Sequence, residues 1–263
     1  MNRAVANKAL PHSRRGSTGT SQPAKRLLDA ASRLSEQLDQ LRFDDPVTHV
    51  YNPLRYAWDT HRQYLELVGK HPVRVLFLGM NPGPWGMAQT GVPFGEISAA
   101  RDWLGIDGVV SKPNREHPKR PIEGFACSRS EVSGRRLWGL FADRFKTPTA
   151  FFQRHFVANY CPLVFMESSG RNRTPDKLPA SERRTLDQLC DEHLIEVLST
   201  LTPRYVVGIG VYAESCLKRC LELGGLDCSV ARILHPSPAS PSANQGWAEK
   251  ATQQLVDAQI WKS

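Results

Sequence analysis

Two asparagines and a histidine stand where this sequence changes character. Asn81 follows the apolar run VRVLFL and begins Asn81-Pro-Gly-Pro, inside the stretch GMNPGPWGMAQTGVPFGE from Gly79 to Glu96. Asn159 lies within the apolar segment HFVANYCPLVFM, and His235 opens His235-Pro-Ser-Pro-Ala-Ser-Pro after VARILH. An amide in an apolar strand has to be satisfied, either by backbone or by a ligand. Two amides and an imidazole, with no carboxylate pair among them, suit a neutral, planar, hydrogen-bonding ligand such as a base. Each residue alone has a plainer reading, because Pro and Gly are ordinary turn punctuation and a His in a Pro-rich loop often only caps or faces solvent.

The elements that carry these residues read as α/β. Four apolar segments look like strands: VRVLFLGM from Val73, HFVANYCPLVFM from His155, RYVVGIG from Arg204 and VARILH from Val230. Each is apolar throughout, as in a sheet covered on both faces. Helical patterns intervene at EVSGRRLWGLFADRF, SERRTLDQLCDEHLIEVLSTL and VYAESCLKRCLELG, and Leu27, Leu28, Ala31, Leu34, Leu38 and Leu41 place a further helix over 24–41. That order implies a parallel sheet whose carboxyl ends share one edge, where ligands bind. Pro82 and Pro84 fix the first loop, and its glycines permit close approach of backbone. The pair Gly208-Ile-Gly210 is too common to signal a phosphate site. Arg135 and Arg136 are expected to decorate a helix.

The 263 residues suit one domain over 24–263 after a basic tail at 1–23, whose Ser, Thr, Gly and Pro show no apolar periodicity and imply disorder. Lys and Arg exceed Asp and Glu by 34 to 26, a weak pointer to polyanionic partners. The six cysteines show no CxxC pair and no zinc spacing, so reduced, mostly buried thiols and no metal are expected. No apolar run approaches the roughly 20 residues of a membrane span and no signal-peptide core is seen, so an intracellular protein with no membrane association is expected.

The stretches GMNPGPWGMAQTGVPFGE, FVANYCPLVFM followed by SGRNRTPDKLPA, and HPSPASPSANQGW together resemble the single-strand-selective monofunctional uracil-DNA glycosylases, over about 52–261. The resemblance implies a three-layer α/β/α domain around a four-stranded parallel sheet, and cofactor-free hydrolysis of the uracil N-glycosidic bond in single-stranded and duplex DNA. It implies catalysis by Asn81, holding water, and by a neutral His235, donating to O2 with a backbone N–H near Met80. Phe94 is the counterpart of the stacking aromatic, and Asn159 would read the pairing edge. Gly83 stands where uracil-exclusive relatives carry a bulky side chain against C5, which leaves room for 5-hydroxymethyluracil. Some relatives carry Asp in place of Asn81, and because an amide is no general base, a slower enzyme is expected.

The loop Pro236, Ser237, Pro238, Ala239, Ser240 resembles the family's duplex wedge. Ala239 departs from it, since members often carry Arg there, which implies a stronger preference for single strands. Lys112, Arg171 and Arg173 are candidate phosphate contacts, although such basic clusters are equally often solvated faces. A monomer is expected, nuclear in a eukaryote and cytoplasmic or nucleoid-associated in a bacterium. Two further readings are a damage-binding protein of this fold without catalysis, and a glycosylase shifted toward deaminated purines. A nucleotide hydrolase is disfavoured, because GMNPGPWG lacks the Lys-Ser/Thr of a phosphate loop.

Overall fold

The computed structural model describes residues 20–69 and 72–262. Along the chain run α1 (Gln22–Leu38), β1 (Val47–Tyr51), α2 (Pro53–Tyr56), α3 (Trp58–Glu66), β2 (Val75–Gly79) and α4 (Met87–Thr90). The middle of the chain supplies α5 (Val132–Phe145), α6 (Pro148–Phe152), β3 (His155–Asn159), β4 (Val164–Glu167) and β5 (Asn172–Arg173). It ends with α7 (Ala180–Leu201), β6 (Tyr205–Ile209), α8 (Val211–Gly224), β7 (Ser229–Ile233) and α9 (Trp247–Asp257).

The four apolar segments converge as expected on a parallel sheet, in the order β3-β2-β6-β7. Helices α7 and α8 pack on each other and α8 packs on β2, β6 and β7, while α5 packs with α6 and α9 in a second helical layer. The α5 side is aromatic: Phe77 from β2 meets Phe141, and Phe151, Phe145, His155 and Trp261 complete the cluster. Burying each of the phenylalanine rings stabilises the fold by about 1.5–3 kcal/mol, which packs this layer firmly against the sheet.

Two expectations need correction. The segment 155–166 is not one strand. β3 ends at Asn159, the chain turns through Tyr160-Cys161-Pro162, and Val164–Glu167 joins a second, antiparallel sheet of order β1-β4-β5. Pro162 has no N–H to give a ladder, which is why a continuous apolar run divides there. The first helix also begins earlier and ends sooner than its leucine spacing implied. Ser21 caps it by accepting the Ala24 N–H at 3.3 Å, and beyond Leu38 the chain tightens into a turn, with Leu41 N–H on the Leu38 carbonyl. Of the tail expected at 1–23, residues 1–19 lie outside the described residues. No helix among the described residues is long and apolar enough to cross a membrane.

Candidate active site

Parallel register delivers the chemistry to one edge. Gly79 pairs with Asn159 across β2 and β3, Leu78 pairs with Gly208 of β6, and Ile209 pairs with Ile233 of β7. The next residues are Met80 and Asn81 after β2, Gly210 after β6 and His235 shortly after β7. Met80, Asn81 and His235 open on a cleft of about 330 Å³ that Gly83, Phe94 and Asn159 also line. All six base-pocket and catalytic residues expected from sequence are therefore together, in a volume typical of small-ligand sites.

Each polar side chain is held by one end and left free at the other. The Asn81 amide donates from Nδ2 to the Leu163 carbonyl at 3.1 Å, so its Oδ1 is the atom turned to accept. The Asn159 amide donates only to the Met87 thioether, at 3.4 Å, and its Oδ1 is buried with no partner. His235 Nδ1 accepts the Ser237 N–H at 3.1 Å, which puts the proton of the neutral ring on Nε2. Burial lowers the His235 pKa, so the neutral ring prevails at neutral pH.

Phe94 sets the wall. Its ring centroid lies 6.3 Å from that of His235, and its φ of 53° is in the left-handed region that a bulky residue adopts only under constraint. The constraint is visible in two glycines. A Cβ on Gly134 of α5 would collide with the Phe94 carbonyl, and a Cβ on Gly79 would strike the Phe94 ring and stand 2.6 Å from Asn159 Oδ1. Gly208 and Gly210 have packing reasons too: Gly208 backs onto the Glu214 backbone, and Gly210, at φ 92°, lies against His235.

The space beside Gly83 is occupied. Glu131, the residue that precedes α5, reaches into the cleft so that its Oε1 lies 3.0 Å from where a Gly83 Cβ would stand, and its Oε2 fills the corresponding place at Gly86. Oε2 is buried without a hydrogen-bond partner, and burial, with the nearby Glu96 charge, lifts the carboxyl to about pH 7. The room expected from the missing Gly83 side chain is thus partly filled by a carboxyl from another element. Asn172 and Thr174 also line the cleft, with Asn172 Oδ1 likewise unpartnered. These residues escaped the sequence reading, although Asn172 and Thr174 flank Arg173 at strand alternation.

Of the loop residues, Ser237 lines the cleft, Pro236 is buried, and Pro238 and Ala239 are exposed beside Ser240. Arg136 does more than decorate α5: it donates to the Pro236 carbonyl and to Asn244 Oδ1, each at 2.9 Å, and Asn244 donates to the Pro238 carbonyl. The phosphate candidates stand outside the cleft lining. Lys112 pairs with Glu116 at 3.0 Å, Arg173 pairs with Glu167 at 3.1 Å, and Arg171 is exposed. Arg120 and Arg129 lie 5.3 and 5.4 Å from the Trp85 ring centroid, in the same loop as Asn81. Five of the six cysteines are buried and Cys228 is half-buried.

The parallel sheet gathers two amides and an imidazole at its carboxyl edge, and a family model described as the Uracil DNA glycosylase superfamily matches residues 67–256. The curated single-strand selective monofunctional uracil-DNA glycosylase of Rattus norvegicus is 50% identical over 234 residues, 89% of this chain and 84% of that one. Its Bos taurus counterpart is 49% identical over 232 residues, 88% of this chain and 85% of that one. The solved structure of wild-type Pedobacter heparinus SMUG2 shares the fold at 17% identity and a TM-score of 0.64, covering 89% of this chain and 99% of that one. The chain belongs to the uracil DNA glycosylase superfamily, among its single-strand selective monofunctional members.

Proposed function

We propose that this protein removes uracil from DNA by hydrolysing the N-glycosidic bond, with no lyase step and no cofactor, and that it also accepts 5-hydroxymethyluracil. The observation that carries the reading is the buried, unpartnered Oδ1 of Asn159 in a cleft shared with Asn81 and His235. A base turned out of its stack and laid on Phe94 gives that oxygen its partner, N3–H, while Nδ2 donates to O4. Cytosine presents the opposite donor pattern there, and each polar group left unpaired costs about 1–3 kcal/mol.

In the reaction the C1′–N1 bond breaks and its electron pair passes to the uracil ring, leaving an oxocarbenium-like sugar. The charge spreads to O2, where Nε2–H of His235 and the Met80 N–H donate. One such donor is worth about 2.7–4 kcal/mol in comparable sites. Water held on Asn81 Oδ1 forms the new C1′–O bond and releases its proton to solvent or the departing base. Asn81 acts by position alone, because an amide cannot take that proton. A monomer suffices, since every catalytic group comes from one chain. The exposed tip Pro238-Ala239 offers the duplex no cation, which favours single strands, and Lys112, Arg171, Arg120 and Arg129 supply phosphate contacts whose contribution fades with salt. The site of action is wherever the cell keeps its DNA, the nucleus or the nucleoid.

The test is release of uracil from single-stranded and duplex oligonucleotides, with strand scission scored before and after alkali. Scission that requires alkali, is faster on single strands, and falls at least a hundredfold in Asn81→Ala and His235→Ala is the expected result. Tight uracil-specific binding without release would leave a damage-binding protein, and equal rates on both strand forms would refute the role given to Ala239.

A further inference from the structure

We infer that Trp85, with Arg120 and Arg129, forms a second nucleotide subsite on the rim of the cleft, where the base beside the flipped uracil stacks and its phosphate is held. The inference rests on the glycosylase reading above and deepens it, because it names a contact that only an unpaired neighbour can make.

Trp85 is placed unlike most of the other tryptophans. It is half-buried yet belongs to neither apolar core, and its indole N–H has no partner among the described residues, whereas those of Trp103, Trp138, Trp247 and Trp261 all donate to protein groups. A large ring that the fold does not use for packing is free to meet a ligand. Gln89 fixes where that ring stands. Fully buried, it donates to the Pro84 carbonyl at 3.0 Å and the Pro121 carbonyl at 2.9 Å and accepts the N–H groups of Glu123 and Gly124. One amide thus fastens the turn that carries Trp85 to the segment between Arg120 and Arg129. Gly83, which lines the cleft, is at most about 7 Å of chain from Trp85.

Both guanidiniums lie over this ring, 5.3 and 5.4 Å from its centroid, and like charges gathered there repel. Neither is neutralised by an ion pair among the described residues, and the nearby acids Glu116 and Glu167 are taken by Lys112 and Arg173. Arg120 Nε is buried with no hydrogen-bond partner. A phosphate supplies the counter-charge and the acceptors that this pair lacks. Stacking a base on a ring is worth more than an exposed cation–π contact, so an incoming base takes the ring and sends Arg129, which is exposed, to the phosphate. In a duplex the same base is paired and stacked, and its faces are closed. The subsite therefore adds affinity for single strands without entering the chemistry.

Steady-state kinetics on one uracil in single-stranded and duplex oligonucleotides test this. Trp85→Ala should raise KM about tenfold on single strands, leave kcat there unchanged and alter duplex KM by less than about twofold, while Trp85→Phe should keep most of the single-strand affinity. In the wild-type protein, an abasic spacer in place of the base on one side of the uracil should raise single-strand KM to the same extent. In Trp85→Ala that spacer should have no further effect. Arg129→Gln should raise KM and flatten its dependence on salt. A wild-type protein indifferent to a spacer on either side overturns the inference whether or not any variant folds, and so does a Trp85→Ala variant that weakens both strand forms alike. A wild-type protein that releases no uracil fails at the earlier reading and takes this inference with it, while uracil release with no spacer effect overturns this inference alone.

Discussion

Glu131 and the three residues first singled out from sequence differ in how they declare themselves. Burial, reinforced by Glu96, raises the Glu131 carboxyl to about pH 7 from an ordinary value near 4.5. Between those two pH values the native state binds more protons than the unfolded chain, so this group's contribution to stability falls as pH rises, by up to about 1.4 kcal/mol per unit, and levels above pH 7. Glu131→Gln should therefore melt with the wild type near pH 4 and several degrees above it at pH 8. Parallel melting curves across that range would mean that the carboxyl titrates in the folded protein as it does in the unfolded chain. Asn81, Asn159 and His235 were legible because each is polar where its surroundings are apolar or rigid. Glu131 was not, since an acid before VSGRRLWGLF reads as an ordinary helix start, and its inward course depends on glycines far away in sequence.

At the scale of elements, α5 serves the site at three levels of its length. Glu131 precedes it, Gly134 makes room for the Phe94 carbonyl, and Arg136 bridges to the loop that follows His235. Cutting that bridge with Arg136→Ala should lower kcat about tenfold, with KM and melting temperature little changed, because the loop that orients Nε2 loses its tether while the core does not. Arg136→Lys should not rescue it, since one ammonium cannot span both acceptors as the guanidinium fork does. Single-turnover rates decide, and an unchanged kcat in Arg136→Ala would remove the loop from the mechanism. The parallel strands and α5, α7 and α8 were readable from periodicity. The second sheet was not: β4 continues an apolar run already assigned to β3, and β5 is too short to carry a pattern. Pro162 was the one local sign of the break.

Across the whole molecule, three histidines outside the cleft oppose Glu131 in their response to acid. His61, His155 and His193 are each lowered to about pH 4, chiefly by burial, and His155 sits inside the aromatic cluster under the sheet. A lowered folded value means that the unfolded chain binds more protons between about pH 4 and 6.5, so these groups make stability rise with pH across that window. Three such groups outweigh one carboxyl, and thermal melts should show a steep fall in melting temperature from pH 6.5 down to 4. A flat profile there would place the imidazoles in contact with water. The bond from Asn81 to the Leu163 carbonyl has its own molecular consequence. It ties the side chain proposed to position water to segment 159–163, which also begins with the amide proposed to read the base. Under the proposed mechanism, recognition and hydrolysis are tethered to each other through this one bond. Turnover at each lesion should then follow how readily the neighbouring bases release it, and excision rates across a set of flanking sequences check that dependence on stacking.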